Sequence, residues 1–488
     1  MTSDDTTGFD KIDINTQIMQ NQGFLGPLAN SLGATEPALK LLISLLFGYP
    51  LAAIYHSHIK KHSLNIKNIY FALTGFLICC FNYGYDVYHS LISILITYIL
   101  CRYFCKYRYF VIINFIFNMG YLLIGYYFTE SNDYDIKWTM PHCVLVLRLI
   151  GYGFDISDGK TSKDKLSKDQ LENAIYDMPN LLQLTSFTYF PASFLVGPQF
   201  QYQRYKNFIN GKFDNYKGNI EAGLKRGSIG ILYLIIRQIG ATFIPDSFIM
   251  SEEFDILSLP TKILYIGIWG KLSLYKYVSC WLITEGALIY FGLTYVNTDK
   301  NTGISDWSGC SNINIRIFEL ATKMEHYVKS FNINTNQWVA SYVYKRLKFL
   351  NNRTISYASA LLFLAMWHGF HSGYYMSFLL EYSVITFEKQ FESLWSKYIL
   401  AKYSNIINSN ICEVLIFIIM KIYNTSCMGW CMVPFVYLNY TRWFYIYSKL
   451  YYYGYIFLIS WFIFNFYMKK YVTKPKKNDK SLDKNKSQ

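Results

Sequence analysis

Long apolar runs follow one another along the chain. Residues 38–55, 68–84, 87–104, 109–128, 138–154, 181–200, 228–248, 262–296, 354–380, 412–438 and 450–468 each read as membrane elements, with 262–296 expected to form two. Several approach the roughly 20 apolar residues that cross a bilayer core as a helix. None shows the ten-residue alternation of a barrel strand, and a segment in lipid must satisfy its own backbone hydrogen bonds, so helices are expected throughout. The expected fold is all-α: a polytopic integral membrane bundle of about 10–12 membrane helices. Its organisation reads as a polar N-terminal segment (1–36), a multi-span region (37–468) and a basic tail (469–488). The first 36 residues lack a basic stretch followed by an apolar run and a small-residue cleavage site, so no cleaved secretory signal is expected.

Composition narrows the class. Hydrophobic residues make up 52% and charged residues only 16%, against a usual quarter charged in soluble domains, which excludes a water-soluble multi-domain protein. Lys and Arg number 46 against 32 Asp and Glu, a net charge of +14. Eight Lys and two Asp fall in residues 469–488 alone. Lysine excess beside a last span marks the cytosolic side rather than nucleic-acid binding. Lys484 and Lys486 stand fifth and third from the end, the spacing of dilysine retrieval signals, which points to the endoplasmic reticulum membrane with a cytosolic C-terminus. The ten cysteines are scattered without zinc-ligand spacing, and no metal site is expected.

Two polar stretches, 155–177 and 297–336, lie inside the membrane region. The second leads into a helical run from Trp338 to Leu350, where Trp338, Tyr342 and Phe349 share one face and Lys345 and Lys348 another. Such a run suits the interface, its lysines either snorkelling to lipid phosphates or holding an anionic ligand. Of the eight histidines, only His368 and His371 stand at membrane depth, in the stretch 354–380, which contains no Asp, Glu, Lys or Arg. An intramembrane imidazole marks a functional site by default, and general base is its natural role. The competing assignment is a histidine that only hydrogen-bonds a neighbouring helix. A metal held by both histidines lacks an acidic or thiol partner nearby in sequence.

The segment Trp367-His368-Gly369-Phe370-His371-Ser372-Gly373-Tyr374 resembles the WHGxxPGY motif of the membrane-bound O-acyltransferases, with Ser372 in place of the proline. Residues 330–340 and 344–350 are similar to the lysophosphatidylcholine acyltransferase 3 branch of that family, as are Phe194 to Phe200 and Cys280 to Gly286. The family's RxKYYxxW motif is met at 274–281 by Lys276, Tyr277 and Trp281, with Leu274 and Val278 in place of its Arg and second Tyr. Its WD motif keeps Trp307 without a following Asp.

The resemblance implies a bundle with a buried reaction chamber and transfer of an acyl group, expected to be polyunsaturated, from acyl-CoA to the free hydroxyl of a lysophospholipid, with lysophosphatidylcholine the leading acceptor. His368 becomes the general base and Asn332 the amide that stabilises the developing oxyanion. Without the resemblance, Asn332 reads as an ordinary turn or N-cap residue. Lys345, Arg346 and Lys348 are expected near the CoA phosphates, and Lys276, Tyr277, Trp281, Trp338 and Tyr374 along the substrate tunnel. No permanently bound cofactor is expected, acyl-CoA being a co-substrate. Membrane lipids are the surroundings, and a homodimer is compatible with this reading. Alternatives are a different acceptor, such as lysophosphatidylserine, lysophosphatidylinositol or another hydroxyl, and a lipid carrier without turnover. Asn352, Asn424 and Asn439 stand in glycosylation sequons whose use topology decides.

Overall fold

Polar residues at the ends of the apolar runs start most of the helices. Thr35 accepts from the Ala38 N–H, with Pro37 in the first turn, and opens α1 (Glu36–Ile54). Leu64–Tyr83 (α2), Val87–Phe104 (α3), Phe110–Thr129 (α4) and Thr139–Gly159 (α5) follow, close to the expected boundaries. A computed structural model describes residues 23–107, 109–131, 136–400, 409–468 and 470; most of the N-terminal segment and of the lysine-rich tail lies outside this range. Among the described residues the only strands are a two-residue hairpin, Asn297–Thr298 with Ser305–Asp306. Among the described residues, five helical runs have the length and apolar composition to cross a membrane: Glu36–Ile59, Leu64–Phe104, Phe110–Thr129, Asn219–Met250 and Asn410–Tyr437. The second comprises α2 and α3, joined by a single tight turn at Gly84–Asp86.

Three expected spans take a different form. The run at 181–200 is helical only over Leu181–Thr188 (α6), after which the chain crosses the interior as turns and extended backbone. Pro191 and Pro198 prevent a longer helix. This irregular backbone is buried against protein and finds donors there, the condition for leaving helical form at such depth. Arg148 of α5, 1% exposed, donates to the Phe187 and Thr188 carbonyls at 3.0 and 2.9 Å, to Ser193 Oγ at 2.6 Å and to Gln199 Oε1 at 3.3 Å.

The run at 262–296, expected as two elements, contains one 33-residue helix, Leu259–Phe291 (α8). Its glycines do not break it; they admit neighbours. A Cβ on Gly270 would lie 2.3 Å from the Gly429 Cα of Asn410–Tyr437. Small-residue contact of this kind is how membrane helices approach closely. α8 packs against Asn219–Phe243 (α7), α1 and Asn410–Tyr437, which makes it the central element.

The uncharged stretch 354–380, expected as one span, is two helices, Arg353–His368 (α10) and Ser372–Trp395 (α11), with Ile333–Val339 (α9) preceding them. The break falls at Gly369, with φ +129° and ψ −166°, a region essentially reserved for glycine. Asn410–Tyr437 (α12), Tyr440–Lys449 (α13) and Tyr453–Tyr467 (α14) complete the bundle. Two of the sequon asparagines are N-caps: Asn352 accepts from Thr354 and Ile355 at α10, and Asn439 from Thr441 at α13. Asn424 is fully buried inside α12 and unavailable to a glycan.

Candidate active site

The break in the former span sets His368 at the C-terminal end of α10, and the chain around it is braced on three sides. Tyr126 of α4 donates to the Trp367 carbonyl at 3.0 Å, and Trp367 Nε1 donates to the Cys143 carbonyl of α5 at 2.8 Å. Glu130 Oε1, just past α4, accepts from the Phe370 N–H at 3.1 Å and faces His371 Nε2 at 3.1 Å. Ser372, at the position of the family's proline, accepts from Trp443 Nε1 at 3.2 Å, and the next N–H, of Gly373, donates to the Leu438 carbonyl at 2.9 Å. His371 is thereby turned toward Glu130, while the His368 ring packs among Trp367, Phe435, Tyr374 and Phe378 at centroid distances of 4.7, 5.1, 5.3 and 5.6 Å. The Gly369 break thus parts the two imidazoles that helical spacing puts on one face. Among the described residues His368 makes no hydrogen bond to the protein, unlike a histidine that merely pairs with a neighbouring helix.

Asn332 holds the N-cap position of α9 in a left-handed conformation, φ +51°, yet its side chain caps nothing. Instead its Oδ1 accepts from Asn312 Nδ2 at 3.3 Å. The preceding Phe331 begins an aromatic wall that leads to His368. Its ring lies 5.0 Å from Trp281 and 6.4 Å from Tyr277; Tyr277 lies 6.4 Å from Phe435, and Phe435 lies 5.1 Å from both His368 and Tyr374. Trp281 is pinned by donation from Nε1 to the Val196 carbonyl at 2.9 Å, which ties the segment Phe194–Phe200 to the wall. The structure therefore brings together His368, Tyr374, Tyr277 and Trp281, together with Phe331 beside Asn332. Lys276 is exposed, its ammonium 5.9 Å from the Tyr277 ring centre. Leu274 and Val278, where the motif has Arg and Tyr, are buried in the apolar core. Trp307 is buried beside Tyr295, 5.6 Å between ring centres.

The remaining candidates lie elsewhere. Trp338 is 3% exposed, donates to the Leu147 carbonyl at 2.9 Å and stacks on Phe363 at 5.4 Å, between α5 and α10. The run after it is not a continuous α-helix: it widens to π geometry over Ala340–Tyr344 and tightens to 3₁₀ over Lys345–Leu350. That change breaks the expected shared face, because Tyr342 is buried on Asp155 whereas Phe349 is 73% exposed. Lys345 is paired with Asp169. Arg346 donates to Asp158 at 2.7 Å and lies 4.6 Å over the Phe154 ring, while Lys348 is exposed. Sequence reading missed Phe435, Asn312 and Glu130, which reach the site from distant parts of the chain with no motif of their own.

Comparison with known proteins decides the family. Residues 123–430 match the model of MBOAT, the membrane-bound O-acyltransferase family. The chain belongs to the membrane-bound O-acyltransferase family. It is 52% identical over 449 residues to lysophospholipid acyltransferase 5 of Drosophila melanogaster, covering 91% of this chain and 90% of the relative. Similarity to the proteins of the same name from Mus musculus (38% over 440 residues; 89% and 90% covered) and Caenorhabditis elegans (32% over 445 residues; 90% and 93% covered) is of the same extent. The chain is thus a multi-pass membrane acyltransferase, and the matched region holds both the helix break at Gly369 and the loop that carries Asn332.

Proposed function

We propose that this acyltransferase moves a fatty acyl group, polyunsaturated by preference, from acyl-CoA to the free hydroxyl of a lysophospholipid, with lysophosphatidylcholine as its main acceptor. One observation carries the reading: a connected aromatic wall runs from His368 to Phe331, the residue before Asn332, and among the described residues neither the His368 ring nor Asn332 Nδ2 has a protein hydrogen-bond partner. Supporting it is 52% identity, over nine-tenths of the chain, to a protein named lysophospholipid acyltransferase 5.

In the proposed reaction His368 accepts the hydroxyl proton as the oxygen attacks the thioester carbonyl. Asn332 Nδ2 donates to the oxyanion that forms. The carbon–sulfur bond breaks, the ester remains, and the proton passes to the departing CoA thiolate. The thioester is already activated, so no covalent acyl-enzyme is required. Apolar walls of Tyr277, Trp281, Phe435 and Tyr374 would keep water from competing as acceptor. Lys348, with Lys345 and Arg346 beside it, supplies cationic charge for the CoA phosphates. The excess of Lys beside the last span supports placing that side of the membrane in the cytosol, with the enzyme in the endoplasmic reticulum membrane.

The test is acyl transfer in membranes expressing the wild-type chain, with labelled polyunsaturated acyl-CoA and a panel of lysophospholipids separated by head group. Labelled phosphatidylcholine as the dominant product is expected. Dominance of another phospholipid would replace the acceptor, and no acylated lysolipid at all would overturn the reading.

A further inference from the structure

We infer that Asn312 is a positioning residue that decides which face of the Asn332 amide meets the substrate, and that Glu285 and Arg226 hold it in register. This rests on the proposed role of Asn332. Two backbone donors, whose identity is not open to choice, fix the frame. The backbone N–H groups of Asn312 and Ile313 both donate to Glu285 Oε1, at 2.6 and 3.1 Å. Arg226 occupies the other oxygen through Nε at 2.7 Å and also donates to the Ile313 carbonyl. Glu285 is 1% exposed, and this carboxylate of α8 accepts three hydrogen bonds from protein donors with Arg226 Nη2 a further 2.6 Å ion-pair contact. The segment it anchors runs beside residues 330–333: Asn314 N–H donates to the Ser330 carbonyl at 2.9 Å, and Ile333 N–H to the Asn312 carbonyl at 3.0 Å.

The orientation of two amides follows from that frame. The backbone N–H of Asn334 donates to the Asn312 side chain at 3.0 Å. A backbone nitrogen only donates, so the atom it meets must be oxygen, and the other terminal atom of Asn312 must be the NH₂ group. That group meets Asn332 at 3.3 Å. A donor needs an acceptor there, so Asn332 turns its oxygen inward and presents its own NH₂ outward, where among the described residues it has no partner. Asn312 is 2% exposed, so water does not compete for the arrangement. Without Asn312, the Asn332 amide would have nothing to distinguish its two orientations, one of which aims an oxygen at the oxyanion.

Asn312→Asp tests this with almost no change of shape. The new carboxylate attracts the Asn332 NH₂, the amide turns over, and a donor is lost from the substrate side. Turnover with lysophosphatidylcholine and acyl-CoA as probes is expected to fall on the order of 10²-fold. KM for both substrates is expected to stay within about twofold. Asn312→Ala leaves the amide unheld: free choice between its two orientations costs about twofold and loss of its fixed position the rest of an expected loss of about tenfold. In an Asn332→Ala background neither change is expected to cost more than about twofold further, because the group being oriented is gone. Wild-type turnover in Asn312→Asp overturns the inference, as does an undiminished loss in the Asn332→Ala background. If Asn312→Asp fails to accumulate in membranes, the Asn312→Ala pair carries the same comparison. Full activity in Asn332→Ala would instead remove the donor role of Asn332, and the inference with it.

Discussion

Arg148 offers a direct test of how the interior is held together. Its guanidinium serves the segment that leaves helical form after α6, and that segment supplies the Val196 carbonyl on which Trp281 is pinned. In Arg148→Met the side-chain volume is nearly kept, so the contacts with Phe187 and Phe200, whose ring centres lie 5.6 and 4.8 Å from the guanidinium carbon, are largely retained. Four acceptors, two of them carbonyls at a helix end, lose their donor. At about 1 kcal/mol for each buried group left unpaired, the low end of the usual range, the loss is about 4 kcal/mol. The unfolding entropy scales with chain length, about 1 kcal/mol per degree here, so this corresponds to a fall of roughly 4 °C in the unfolding midpoint. Arg148→Lys is expected to recover little, because a single ammonium cannot span acceptors arranged around a planar fork. The assay is fluorescence-detected thermal unfolding of the detergent-solubilised full-length protein, beside acyl transfer in membranes. A midpoint within about 1 °C of wild type in Arg148→Met would refute the reasoning that this one residue sustains the non-helical crossing.

Two further predictions concern the site and its border. Gly369→Ala forces a side chain into a left-handed backbone with its Cβ 3.2 Å from Glu130 Oε1; strain of about 1–3 kcal/mol should displace His368, so acyl transfer should fall at least tenfold with membrane abundance largely kept. Arg346→Met and Asp158→Asn break one ion pair from opposite sides, and Asp158 is only 5% exposed in its side chain. Each change should lower stability by about 1–3 kcal/mol, and Arg346→Met alone should also raise KM for acyl-CoA, as its proposed place at the CoA phosphates requires; an unmoved KM would remove Arg346 from that role.

Much of the helical plan was legible because bilayer length and hydropathy act locally. The ends of α1 to α5 lie within a few residues of the apolar boundaries, since caps and polar residues stop those runs. The departures come from tertiary contacts that hydropathy does not encode. The 262–296 run resembled two spans because of its length, whereas its glycines serve close packing against α12. The 354–380 run concealed a break because an uncharged sequence looks the same whether one helix or two traverse it, and only the backbone at Gly369 reveals the turn. His368 and Asn332 were found through motif position. Asn312 and Phe435 were not, because their contacts span long sequence separations. One signal for the first was available: Glu285 is a lone carboxylate in a strongly apolar run, and such a residue requires a partner, here Arg226. The basic run at 345–348 was read for its charge, but the carboxylates that meet Lys345 and Arg346 lie in the earlier polar stretch, at Asp169 and Asp158.

Removal of the acceptor's proton by His368 is measured by turnover of His368→Ala against wild type, at equal abundance in membranes and saturating acyl-CoA and lysophosphatidylcholine. The expected loss is roughly 10²–10⁴-fold, the usual contribution of a general base. Product formation by His368→Ala at the wild-type rate would rule out that role.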